Sequence, residues 1–144
     1  MLRTFNYTSS HRYSPLECEN LVLTCFDFRF RKLVSDMLPS AGFREFDLIS
    51  LPGASKALMD EDGRETVLRA VRLAIDLHKI KRVIIIDHED CAACGGSGAF
   101  ADSDEEEEFH ADSLRRAAEI LRKEFDGIAV VTFYAGWWQM KPLQ

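Results

Sequence analysis

The segment Arg82–Asp87 (RVIIID) constrains this chain more than any other. Four β-branched apolar residues follow one another, with none of the polar alternation of a strand that has one wet face. Such a strand is expected to be covered on both faces. Three weaker runs read as further strands: Asn20–Cys25 (NLVLTC), Phe46–Leu51 (FDLISL) and Ile128–Tyr134 (IAVVTFY).

Between the strands, apolar residues recur at helical spacing. Phe30, Leu33, Val34, Met37 and Leu38 predict a helix over Phe28–Leu38, stopped by Pro39 and Gly42. Val67, Leu68, Val71, Ala74, Ile75 and Leu77 predict a second, after Asp62-Gly63. A third is expected from about His110 to Phe125, with the acidic run Asp102–Glu108 as a solvated loop leading into it. Alternating strands and helices give an α/β fold: a mostly parallel four-strand core sheet, order 2-1-3-4, with helices on both faces. The 144 residues suit one domain, 1–144, with 1–19 as an N-terminal arm.

Composition narrows the partners. A formal charge of −6 argues against a nucleic-acid backbone, which needs a basic surface. It also disfavours an anionic membrane surface. No apolar run reaches the roughly 20 residues that span a bilayer, and the N-terminal segment lacks the apolar core of a secretory signal. A cytoplasmic location is expected. There, Cys18, Cys25, Cys91 and Cys94 read better as metal ligands or nucleophiles than as disulfides.

In an open α/β sheet, ligands bind beyond the carboxyl ends of the strands, where the strand order reverses. In the order 2-1-3-4 that point lies between the first and third strands. The first ends at Cys25, the third at Asp87-His88, and His88-Glu89-Asp90-Cys91 adds a second thiol three residues on. Cys25, His88 and Cys91 are therefore expected to hold one zinc ion per chain, with a fourth position open as in catalytic zinc sites. Cys94 offers an alternative, a closed structural Cys₃His site. In Cys25-Phe26-Asp27-Phe28-Arg29, Asp27 and Arg29 can converge as an ion pair, with the phenylalanines as apolar walls.

C-x-D-x-R followed about sixty residues later by H-x-x-C resembles the pattern of the β-class carbonic anhydrases. The resemblance runs from about Asn20 to Tyr134. It implies zinc on Cys25, His88 and Cys91, and zinc-bound hydroxide that hydrates carbon dioxide reversibly to bicarbonate. Asp27 would orient the hydroxide or ligate zinc in a closed form, and Arg29 would hold Asp27. It also implies a homodimer or a dimer-based oligomer. Two segments depart from the family's usual pattern: Leu51-Pro52-Gly53-Ala54-Ser55 where an Arg-Asn-Ala-Gly segment is usual, and Cys91-Ala92-Ala93-Cys94-Gly95-Gly96 where Cys-Gly is usual.

Related scaffolds hydrolyse carbonyl sulfide or carbon disulfide, and a non-catalytic zinc module is a further alternative. Cys25–Arg31 also fits C-x₅-R, the loop of cysteine-dependent phosphatases, but this leaves His88 and Cys91 without a role. His110 is expected to be exposed at a helix start, with proton shuttling as the sharper reading. Trp137 and Trp138 are expected either to anchor a partner subunit or to cover the protein's own core.

Overall fold

The structure, a computed structural model, describes Thr8 and residues 15–143. Most of the expected arm, 1–7 and 9–14, lies outside the described residues. The elements run β1 (Asn20–Thr24), α1 (Arg31–Ser40), β2 (Asp47–Ser50), a 3₁₀ turn (Ala54–Leu58), α2 (Glu61–His78), β3 (Arg82–His88), α3 (Ser103–Glu124), β4 (Ala129–Ala135) and β5 (Met140–Pro142). The sheet order is β2-β1-β3-β4-β5, parallel from β2 to β4.

β3 sits at the centre and is buried from Val83 to His88. Its side chains divide between two cores, as the absence of alternation demands. Ile84 and Ile86 pack with Val22, Val34 and Leu38 on the α1 side. Val83 and Ile85 pack with Val67 and Val71 of α2 and with Leu114, Ala117 and Leu121 of α3 on the other. Apolar burial of this kind is the main favourable term in folding.

Three features differ from the sequence expectation. A fifth strand, β5, pairs antiparallel with β4, Phe133 to Ala135 facing Pro142 to Met140. Only three residues long and ending in proline, it carries almost no periodic signal. Helix α3 begins at Ser103, so the acidic run is its first turns and not a solvated loop. Asp102 caps it by accepting the Glu105 N–H at 2.9 Å, and the carboxylates near the N-terminus complement the helix dipole. Helix α1 begins at Arg31 because Asp27–Arg31 first form a turn, with the Phe30 N–H donating to Asp27 O at 3.3 Å.

No helix among the described residues is long and apolar enough to cross a membrane. The central strand gives a direct test of the layering. Ile85 is fully buried, so Ile85→Ala is expected to destabilise the fold by about 2–5 kcal/mol in equilibrium urea unfolding. An unchanged midpoint and slope would contradict two-sided burial.

Candidate metal centre

The sheet brings together residues that are far apart in sequence. Cys25 directly follows β1, whose Thr24 pairs with Ile86 of β3. His88 is the last residue of β3. Asp90 then takes a left-handed backbone, φ 56°, and the tight turn returns Cys91 beside both. One donor atom each from Cys25, His88 and Cys91 lie within 4.8 Å of one another. Zinc–sulfur and zinc–nitrogen bond lengths in a tetrahedron imply donor separations of roughly 3.5–3.8 Å, so closing the cluster on an ion takes shifts of no more than about an ångström.

His88 supports that fit most directly. It is 3% exposed, and its Nδ1 lies 2.7 Å from the Glu89 carbonyl oxygen. A carbonyl only accepts, so Nδ1 carries the proton and Nε2 presents a bare lone pair. That Nε2 is buried and has no hydrogen-bond partner among the described residues. A buried polar atom without a partner is costly, and a cation between the two sulfurs would satisfy it.

The thiols hold their protons firmly. The Cys25 thiol is pushed up to about 12, first by donating to Cys91 and then by burial. Contact with Cys25 pulls Cys91 down, but its hydrogen bond with Cys94 and burial outweigh this and leave it at about 11. The Gly53 N–H donates to Cys25 Sγ at 3.3 Å. Gly53 has φ 78°, and a Cβ there would lie 2.9 Å from Lys56 Cβ, so glycine suits this close approach. Cys94, the alternative fourth ligand, lies outside the three-donor cluster.

Asp27 and Arg29 converge as their spacing predicts. Arg29 donates from Nη2 to Asp27 Oδ2 at 2.6 Å and from Nε to Oδ1 at 3.0 Å. This guanidinium holds the Asp27 carboxyl below the usual range. Asp27 Oδ2 stands 3.8 Å from His88 Nε2, at the edge of the cluster. The phenylalanines divide. Phe30 is buried with its ring centroid 4.3 Å from His88 and 4.7 Å from Trp137, whereas Phe26 and Phe28 are exposed. Trp137 also lies 5.2 Å from the Arg29 guanidinium carbon, while Trp138 faces solvent. Beside Cys25 and Asp27 opens a cavity of about 140 Å³, lined by Phe26, Phe30, Val34, Leu38, Phe46 and Leu48 together with Thr24, Arg31, Ser35 and Ser50. Arg31, the arginine of the C-x₅-R reading, opens α1 and is exposed.

A second polar group lies beneath the cluster. Asp87, 1% exposed, accepts from Ser55 N–H at 3.0 Å, from Ser55 Oγ at 2.6 Å and faces His110 Nδ1 at 2.8 Å. Ser113 Oγ is 2.7 Å from Ser55 Oγ. His110 is thus 1% exposed and not at a solvated helix start. Sequence reasoning missed Ser55, Asp87, Asp90 and Glu106. The one available signal was Asp87, a carboxyl closing an otherwise apolar strand.

A family described as "Putative carbonic anhydrase" matches residues 17–144. The chain belongs to that family. An uncharacterized protein of Rickettsia bellii (strain RML369-C) is 32% identical over 136 residues, covering 90% of this chain and 83% of its own. An uncharacterized protein of Rickettsia conorii (strain ATCC VR-613 / Malish 7) is 29% identical, covering 90% and 73%. In fold, the chain is similar to a β-carbonic anhydrase, isoform I, of Trichomonas vaginalis, with TM-score 0.63 at 13% identity over 95% of this chain and 87% of that one. It is also similar to tetrameric β-carbonic anhydrases of Sordaria macrospora, with TM-score 0.62 at 12% identity over 90% and 82%. The mostly parallel sheet with helices on both faces is therefore the β-carbonic anhydrase fold.

Metal uptake by this donor set must expel both thiol protons. Affinity is then expected to rise with pH, by about 100-fold per unit for two protons well below the thiol pKa values. Chelator competition at pH 7.5 and 8.5 reads this slope. A pH-independent affinity would exclude thiolate ligation by Cys25 and Cys91.

Proposed function

We propose that Cys25, His88 and Cys91 hold one zinc ion per chain and that the protein hydrates carbon dioxide reversibly to bicarbonate. The observation that carries this reading is the bare, buried Nε2 of His88, a residue whose donor atom lies within 4.8 Å of two cysteine sulfurs, with Asp27 Oδ2 3.8 Å from that Nε2. When bound, zinc supplies Lewis acidity that brings the pKa of water to about 7.

The chain's own residues do the rest. The Glu89 carbonyl keeps the proton on His88 Nδ1 and so keeps Nε2 available as a ligand. Gly53 N–H places a donor on the Cys25 sulfur. An ionised Asp27 is an acceptor only, so it takes the O–H of a water at the cluster and aims that water's lone pair toward the substrate carbon. Arg29 restrains Asp27 through parallel N–H donors, which limits its rotation. The cavity beside Cys25 combines apolar walls with Asp27 and Arg31, a size and lining suited to a small linear molecule. The same walls would admit carbonyl sulfide or carbon disulfide, which makes hydrolysis of those molecules the second reading.

Exposed Phe26 and Leu48 line this cavity, Leu48 on the edge strand β2. Contiguous exposed apolar side chains mark association surfaces, and they support a homodimer or dimer-based oligomer. The reading places the protein in the cytoplasm, where its thiols stay reduced.

Stopped-flow carbon dioxide hydration by zinc-loaded protein tests the proposal. Asp27→Ala is expected to lower kcat by about 10²-fold or more at unchanged zinc content, as loss of a positioned acid–base group does. Absence of turnover above buffer from neutral to alkaline pH would reject it. Turnover of carbonyl sulfide alone would favour the second reading.

A further inference from the structure

Two carboxyl groups outside the donor cluster, Glu106 and Asp90, link α3 to Arg29 through hydrogen bonds. Glu106 lies near the start of α3 and is 2% exposed. It occupies a core position. The buried stripe of α3 runs Glu106, His110, Ser113, Leu114, Ala117, Ala118 and Leu121, at helical spacing. An apolar residue at 106 would continue that stripe without the cost of burying a carboxyl group.

Both of its oxygens bond to one turn. The Asp90 N–H donates to Glu106 Oε1 at 2.6 Å, and Ser97 Oγ donates to Oε2 at 2.8 Å. These contacts clamp both ends of the segment that carries Cys91. Asp90 closes the loop, its Oδ1 accepting the Ser97 N–H at 2.9 Å. Gly96 leaves space for this, since a Cβ there would lie 3.1 Å from Asp90 Oδ1.

Asp90 also reaches across to the other half of the site. Its Oδ2 accepts from Arg29 Nη1 at 2.9 Å and its carbonyl oxygen accepts from Arg29 Nη2 at 2.8 Å. Nε and Nη2 of Arg29 also donate to Asp27. A guanidinium is a rigid planar fork, so fixing one edge fixes the other.

We infer that Glu106 and Asp90 are positioning residues, through which α3 holds Arg29 and thereby aims the Asp27 carboxylate at the Cys25–His88–Cys91 cluster. The inference rests on the reading that Asp27 acts on water at that cluster. Neither residue touches the reacting atoms. Their effect is on the orientation of a pair that does.

The test uses the full-length ¹⁵N-labelled protein and follows the Arg29 Nε–H resonance, assigned by its loss in Arg29→Lys. Solvent exchange of this proton reports the pair directly and needs no turnover. In Glu106→Ala and Asp90→Asn it is expected to accelerate about tenfold, as when one charge-assisted hydrogen bond is lost. The kcat for carbon dioxide should fall in parallel, with KM and zinc content close to wild type. Glu106→Gln keeps an acceptor for Asp90 N–H and can donate to Ser97 Oγ, so it should restore both readouts. Should Glu106→Ala fail to fold, Asp90→Asn decides, because asparagine tolerates the positive φ at this position. Wild-type exchange in a folded Glu106→Ala or Asp90→Asn protein overturns the inference. If the unmodified protein hydrates no carbon dioxide, the functional reading fails, while the exchange rates still decide the positioning.

Discussion

A strand buried on both faces that ends in polar residues sets the terms for the rest of this molecule. β3 carries Asp87 and His88 into the interior, where each polar atom needs a partner. Asp87 meets that need by drawing in the 3₁₀ turn through Ser55 and α3 through His110. The turn in turn carries Gly53 to the Cys25 sulfur. His88 is satisfied at Nδ1 by the Glu89 carbonyl and left bare at Nε2. Satisfying a buried carboxyl and shaping the Cys25–His88–Cys91 donor cluster are thus one act of packing.

The stretch after β1 divides its work by side-chain direction. Asp27 and Arg29 face each other and the His88–Cys91 turn, while Phe26 and Phe28 turn to solvent. Phe30 drops beneath as a buried platform between His88 and Trp137. One short segment thereby supplies a charged clamp, an apolar wall and the floor of the site.

What could be read from the sequence follows from where its information is local. β3, α1 and α2 declare themselves by apolar runs and helical spacing. The meeting of Cys25 with His88 and Cys91 follows from strand order alone. The start of α3 was hidden because the N-terminal half of its buried stripe is made of Glu106, His110 and Ser113. Hydrophobic periodicity registers only apolar residues, so a stripe that continues in hydrogen-bonded polar ones falls silent. The same property concealed Asp90 and Glu106, whose partners lie 61 and 16 residues away. β5 escaped notice because three residues show no period.

Strand order has a further consequence, for folding kinetics. β1 is made early in the chain, yet it ends between β2 and β3, with α1, β2 and α2 intervening before β3. The donors of Cys25 and His88 therefore meet only when β3 pairs with β1 across the intervening α1, β2 and α2, a slow class of contact. A chain with β1 left at the sheet edge would present Cys91 and His88 without their third donor. A metal held by all three donors would stabilise only chains in which β1 and β3 are paired.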